Sequence, residues 1–247
     1  MISPRKQRES DSPPAETHTR KPRLQRMVES GLMRRMSFRD YQSKVLDLYD
    51  GPRGAFLVAF STVSGHLALG ERLLKSRRFD LRGVRRMLDV GCGVGQLAKH
   101  ALRYGDPELS ITCIDLSTRM LRRARRRLKN DATDHVAADL SRLPFADGSF
   151  DCVTCGYVLE HLPDAQIGLS EMARVLSPGG RVLLLTTEDN FSGACTSRFW
   201  RCRTYNRGEL RRTAQDLGLV WRQDLWLSRM HQALKAGGIC VELQKQG

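Results

Sequence analysis

The stretch LDVGCGVG, residues 88–95, constrains this chain more than any other. An apolar run that carries one acid, Asp89, stops at three glycines on alternate positions, Gly91, Gly93 and Gly95. Six such residues are too few for a helix and read as a buried strand. Glycines placed directly behind a strand read as a tight turn whose backbone approaches a neighbour closely. The question is what that neighbour is: a dinucleotide, a nucleoside triphosphate, another nucleoside, or the next helix.

The same alternation repeats downstream. RRMLDV (85–90), SITCID (110–115), DHVAAD (134–139), FDCVTCGYV (150–158) and RVLLLTT (181–187) read as strands. Helices are expected over 96–104, from Ser117 or Thr118 to about Asn130, and from about Asp164 to Leu176, where SPGG stops the last of them. A loop is expected over 188–205, and Asn206 with Glu209 resembles a capping box for a helix ending near Gly218. LVWRQDLWL and GICVELQ close the chain as two strands whose shorter connection predicts an antiparallel hairpin at one edge. Strands alternating with helices predict an α/β fold with a doubly wound, mostly parallel sheet. Upstream, residues 37–84 mix apolar and polar residues at helical spacing and are expected to form an N-terminal helical cap. Residues 1–36 are polar and rich in Pro, Ser and Arg, with almost nothing to bury, and read as a disordered basic tail. The main domain is therefore expected over 85–247.

Composition excludes some classes and leaves others open. No apolar run reaches the length of a membrane span, and the N-terminus lacks the apolar core of a secretory signal, so a cytoplasmic location is expected. The cysteines number seven, an odd count, and several lie in strand-like runs, which predicts reduced, buried thiols. Cys152 and Cys155 form a CxxC with no second pair beside it, so no metal site is expected. A net charge of +14 permits anionic partners, including a peripheral anionic surface met by the basic tail. TRMLRRARRRLK (118–129) has seven basic residues and no acid. Its Met120, Leu121, Ala124 and Leu128 make one apolar stripe, which leaves the arginines as a solvated face. TSRFWRCRTYNRGELRR interleaves Phe199, Trp200 and Tyr205 with arginines, a pattern that stacks bases or clamps a small anion.

In an open α/β sheet, ligands bind beyond the carboxyl ends of the strands, at the switch point after the first strand. A dinucleotide fingerprint needs G-x-G-x-x-G, but position 96 is Gln, and no Lys-Ser or Lys-Thr follows as a P-loop requires. Asp89 would repel a pyrophosphate and would attract an amine or a sulfonium. Asp115 ends the second strand, where a carboxylate accepts hydrogen bonds from both hydroxyls of a ribose. Asp139 ends the third, where it accepts from an exocyclic amine such as that of adenine. Three acids at three successive strand ends, with glycines at the first, suit a cationic adenosine ligand with a free ribose diol.

Together, LDVGCGVG, IDLS, AADLSRLPFADGSFDCVTCGYVLEHLPD and EMARVLSPGGRVLLLTT resemble the class I methyltransferases that use S-adenosylmethionine, and most of all the group of ubiquinone- and menaquinone-biosynthesis methyltransferases. The resemblance covers about residues 85–186. It implies a seven-stranded Rossmann-like sheet with the last strand antiparallel. It implies that Gly91, Gly93 and Gly95 pack against the methionine and ribose of the cofactor and that Asp89 holds its amino group. Asp115 would bind the ribose diol with Leu116 against adenine, and Asp139 and the Leu140 amide would meet the adenine amine and ring. Gly156 and Tyr157 would line the methionine end. His161, in a Glu-His pair of the kind related quinone-pathway enzymes carry, is the one candidate base. Some of those relatives have a further Glu that helps hold a divalent metal; here that position is Tyr157. The expected acceptor is a small molecule methylated on O, N or C, because the segment after strand four reads GYVL rather than the Asn/Asp-Pro-Pro-aromatic tetrapeptide of base-amine methylases. An RNA methyltransferase, or a non-catalytic protein that binds S-adenosylmethionine as a scaffold, is the alternative.

Overall fold

A computed structural model describes residues 66–200, 202–226 and 238–247, with 42–44, 47 and 232 as outlying positions. The expected tail, and most of the expected cap, lie outside the described residues. Within them the chain runs α1 (His66–Lys75), β1 (Arg86–Val90), α2 (Gln96–Tyr104), β2 (Ser110–Asp115), α3 (Thr118–Leu128), β3 (Thr133–Ala137) and β4 (Phe150–Gly156). After a single 3₁₀ turn (Leu159–His161) follow α4 (Ala165–Val175), β5 (Leu176–Thr186), α5 (Phe191–Trp200), α6 (Arg207–Asp216), β6 (Leu219–Asp224) and β7 (Ile239–Lys245).

The strands form one seven-stranded sheet in the order β3-β2-β1-β4-β5-β7-β6. Pairs β1–β2, β1–β4, β2–β3 and β4–β5 are parallel, and β7 runs antiparallel between β5 and β6. The order reverses at β1, with β2 on one side and β4 on the other, so a crevice opens beyond the carboxyl end of β1. The central strands are buried on both faces and therefore read as continuous apolar runs rather than alternating ones. Leu88, Val90, Val153 and Leu184 pack into the core layer beneath α4 and α6. Met87, Ile111, Cys152 and Leu183 pack into the layer beneath α1, α2 and α3.

Two sequence expectations change. The segment 188–205 is not a loop throughout, because α5 occupies 191–200. Its Phe-Ser-Gly-Ala-Cys-Thr-Ser start has weak helix formers, which hid it. Its cap was nevertheless legible: the Asn190 side-chain oxygen accepts the Gly193 N–H at 2.8 Å. The SPGG segment ends α4 as expected, yet its residues belong to β5 as a bulge rather than a turn. Phe150 pairs with Leu176, and the register then shifts so that Cys152 pairs with Arg181.

Candidate functional site

The site begins at the end of β1. The Cys92 N–H donates to Ile114 O at 2.8 Å, carrying the β1–β2 ladder past the strand, and the Gly95 N–H closes the turn on Cys92 O at 2.8 Å. Gly91 sits at φ +61, and a Cβ there would stand 2.1 Å from Val158 Cγ2, so only glycine permits this approach to the segment after β4. Gly93, at φ +52, differs: nothing lies within 4 Å of the place a Cβ would take. Its bare face opens a cradle. Gly95 turns toward Leu128 and Ala124 of α3, at 3.1 and 3.3 Å, so its bare face serves helix packing.

Asp89 is 1% exposed. Its Oδ1 accepts the Thr154 hydroxyl at 2.7 Å, across the β1–β4 register that pairs these residues. Its Oδ2 is buried and makes no hydrogen bond among the described residues. Burial pushes its pKa up to about 7, against the Thr154 hydroxyl, which pulls it down. A carboxylate in this state is under-satisfied, and an ammonium delivered to Oδ2 would relieve it.

Asp115 holds the crevice together. Its Oδ2 accepts the Gly93 N–H at 2.9 Å and its Oδ1 the Ser117 N–H at 2.8 Å. One carboxylate therefore pins the glycine turn to the β2–α3 turn. Leu116, beside it, is 39% exposed and is the exposed large hydrophobic residue of the described core region. Asp139 lies two residues past β3; its Oδ1 accepts the Ser141 N–H at 2.8 Å and its Oδ2 accepts the Gln42 side-chain amide at 2.7 Å. Leu140 is buried. The acids at the ends of β1, β2 and β3 thus stand in a row along the carboxyl edge of the sheet.

The opposite flank lies beyond β4 and β5. Gly156 ends β4, and Tyr157 follows at φ +59, a left-handed conformation that an aromatic residue rarely adopts; its N–H donates to Leu185 O at 2.8 Å. From the sequence Glu160 reads only as a local cap or ion-pair partner, and the structure makes it prominent. It is 1% exposed, and its two oxygens accept the Thr186 and Thr187 hydroxyls at 2.8 and 2.9 Å. Burial raises its pKa to about 7. Its backbone O accepts the Arg203 N–H at 3.0 Å, and the Tyr205 hydroxyl donates to Leu159 O at 2.8 Å, so the 202–205 segment is tied to the Glu-His turn. The sequence signal was present as paired threonines at the end of β5. His161 is half-buried, and burial pulls its pKa down to about 4, so its imidazole is neutral at pH 7. Among the described residues no group of three His, Cys, Asp or Glu side chains is placed to hold a metal. The six described cysteines, Cys152 and Cys155 included, are buried free thiols.

The family described as a methyltransferase domain matches residues 88–184, from within β1 to near the end of β5, and the chain is similar to that domain over this stretch. It is 38% identical over 105 residues to a ubiquinone/menaquinone biosynthesis C-methyltransferase of Desulfotalea psychrophila, covering 42% of each chain. It is 33% identical over 156 residues to the enzyme of the same name from Methylobacterium nodulans, covering 61% of this chain and 62% of that one. The chain thus spans roughly two fifths to three fifths of the length of these relatives. In fold it is similar to a chain of the complex between the Haloferax volcanii Trm112 methyltransferase activator and a methyltransferase, with a TM-score of 0.66, 18% identity, and coverage of 81% of this chain and 96% of that one.

Proposed function

We propose that this protein transfers a methyl group from S-adenosylmethionine to a small-molecule acceptor. One observation carries the reading: acids stand at the carboxyl ends of three adjacent strands, and the first, Asp89, keeps a buried carboxylate oxygen without a hydrogen-bond partner among the described residues, beside an open glycine cradle. The residues fit the cofactor. Asp89 takes its ammonium, Gly91 and Gly93 admit its methionine and ribose, and Asp115 takes the ribose diol. Leu116 offers an apolar platform to adenine, while Asp139 and the Leu140 amide meet its edge, and Gly156 with Tyr157 lines the methionine end. Gly95 contributes by fixing α3 against the turn. When bound, the cofactor supplies an electrophilic methyl on an excellent leaving group. The chain's share is then to align the acceptor, exclude water and take a proton where the acceptor has one to lose. We assign proton acceptance to His161, which is neutral at pH 7, with Glu160 fixing the turn that carries it.

The expected division of the chain is retained in this reading, with residues 1–36 as a tail, 37–84 as a cap and 85–247 as the methyltransferase domain. The Gln42 amide on Asp139 supports a cap that reaches the adenine end of the crevice. Free buried thiols, and the lack of any described helix long and apolar enough to cross a membrane, support a cytoplasmic setting. The relatives named above are C-methyltransferases of quinone biosynthesis, which supports a carbon acceptor, and hydroquinones are the first class to try. The test is incubation with methyl-labelled S-adenosylmethionine and either a panel of hydroquinones, phenols and amines or total RNA. Label in the small-molecule fraction, lost in His161→Ala and partly kept in His161→Asn, supports the reading. Label in RNA alone would replace the acceptor assignment.

A further inference from the structure

We propose that the outer face of α3 is a docking surface for the phosphodiester backbone of nucleic acid. This inference is independent of the methyl-transfer reading and of its acceptor.

Six of the eleven residues of α3 are arginines and none is acidic. Arg119, Arg122, Arg125, Arg126 and Arg127 are exposed and Arg123 is half-buried, whereas Met120, Leu121 and Ala124 are buried against the sheet. The helix is fixed at both ends. The Ser117 hydroxyl accepts the Met120 N–H, and Lys129 closes the last turn in a left-handed conformation. Among the described residues, Arg122, Arg123, Arg125, Arg126 and Arg127 pair with no carboxylate. The contacts they have are Arg122 Nε to Thr118 O and Arg123 Nη1 to the Met120 sulfur.

Such a face works against its own helix. The arginines create six like-charge neighbours, 119–122, 122–125, 123–126, 119–123, 122–126 and 123–127, and each such i,i+3 or i,i+4 pair is unfavourable. Arg119 also stands in the first turn, where the helix dipole disfavours a cation and where this helix has no acid. An external anion would relieve both penalties. Arginine is the cation best suited to phosphate, which it meets with two parallel N–H donors.

The distribution of charge favours nucleic acid over a bilayer. At about 100° per residue the arginines sweep roughly 200° of the helix circumference, over a length of about 12 Å. A flat lipid surface meets only the middle of that arc, and the face carries no apolar side chain to insert between headgroups. A ridge charged on both flanks fits between phosphates on two sides, as in a groove or a folded strand.

The test uses the full chain with a 20-nucleotide single-stranded RNA, the matching DNA, and an RNA duplex, followed by fluorescence anisotropy across a sodium chloride series. The R122Q/R125Q/R126Q variant is compared with R82Q/R212Q/R222Q, which removes the same charge from exposed arginines elsewhere. Unchanged thermal melting of both variants establishes that they fold. The expected result is an affinity loss of at least tenfold in the first variant alone, with the slope of log K against log salt shallower by about 2, near 0.7 for each lost phosphate contact. Tighter binding of one probe than the others identifies the nucleic acid. Equal losses in the two variants would overturn the proposal, because attraction would then follow net charge. Binding by neither would overturn it too, as would α3-dependent binding to vesicles of phosphatidylcholine with phosphatidylglycerol and none to nucleic acid.

Discussion

Asp115 separates the fold from the ligand more cleanly than any other residue. Its carboxylate accepts two backbone N–H groups, those of Gly93 and Ser117, at the carboxyl end of β2. Asp115→Asn keeps one acceptor for those amides and puts an NH₂ where the ribose hydroxyls donate. The predicted outcome is a folded protein whose affinity for S-adenosylhomocysteine falls by about 2 kcal/mol or more, roughly thirtyfold, as read by calorimetry. Asp89 and Glu160 make a different prediction. Both carry folded-state pKa values raised to about 7 by burial. Acids raised in this way bind protons more tightly folded than unfolded. Their contribution is fully present below the unfolded pKa near 4 and is lost as pH rises through about 7. Glu160→Gln removes one of these titrations, at a shift worth at most about 3 kcal/mol. Urea unfolding at pH 5 and pH 8 is predicted to show the variant less stable than wild type at pH 5 and equal or more stable at pH 8. A constant difference at both values would show that the Glu160 carboxyl does not titrate in this window.

At the scale of elements, the glycine turn between β1 and α2 divides its labour in a way that substitutions can expose. Gly91→Ala forces a Cβ into Val158 as well as keeping φ at +61, so it is predicted to destabilise by more than about 2 kcal/mol and to lower the melting temperature clearly. Gly93→Ala meets no neighbour. It is predicted to cost only about 1 kcal/mol of stability for its backbone conformation while losing most of its cofactor affinity. Equal destabilisation by the two would mean that the open face at Gly93 is not a ligand cradle. This turn, β1, β2 and their acids were legible in the sequence because buried parallel strands give unbroken apolar runs and glycines mark their ends. What escaped was of two kinds. Half of the helix α5 is Ser, Gly, Cys and Thr, weak helix formers that hid it, so its Asn190 cap was the clearer signal. Glu160 looked like a local partner for its neighbours because its burial depends on Thr186 and Thr187, some 26 residues away, which no local pattern reveals.

For the whole molecule, a doubly wound, mostly parallel sheet was readable from the alternation of strands and helices, whereas its strand order was seen first in the structure. The expected antiparallel pair at the end is present, and β7 inserts between β5 and β6, a detail set by the antiparallel register from Arg181–Gln244 to Thr186–Ile239. The hydrogen bond from Gln42 to Asp139 links a position far upstream to the end of the site proposed for adenine. Removing residues 1–36, which precede that contact, is predicted to leave S-adenosylhomocysteine affinity within about twofold; removing residues 1–65, which carry Gln42, is predicted to weaken it.

The most direct test of the central claim is a parallel calorimetric titration of the full chain with S-adenosylmethionine, S-adenosylhomocysteine and NAD. Saturable binding of the first two with none of the third is the predicted result, and would place a sulfonium nucleoside and its thioether product on the glycines of residues 91–95. Binding of NAD alone would contradict the account, because it would mean that the spacing of those glycines and the acid that precedes them had been read for the wrong ligand.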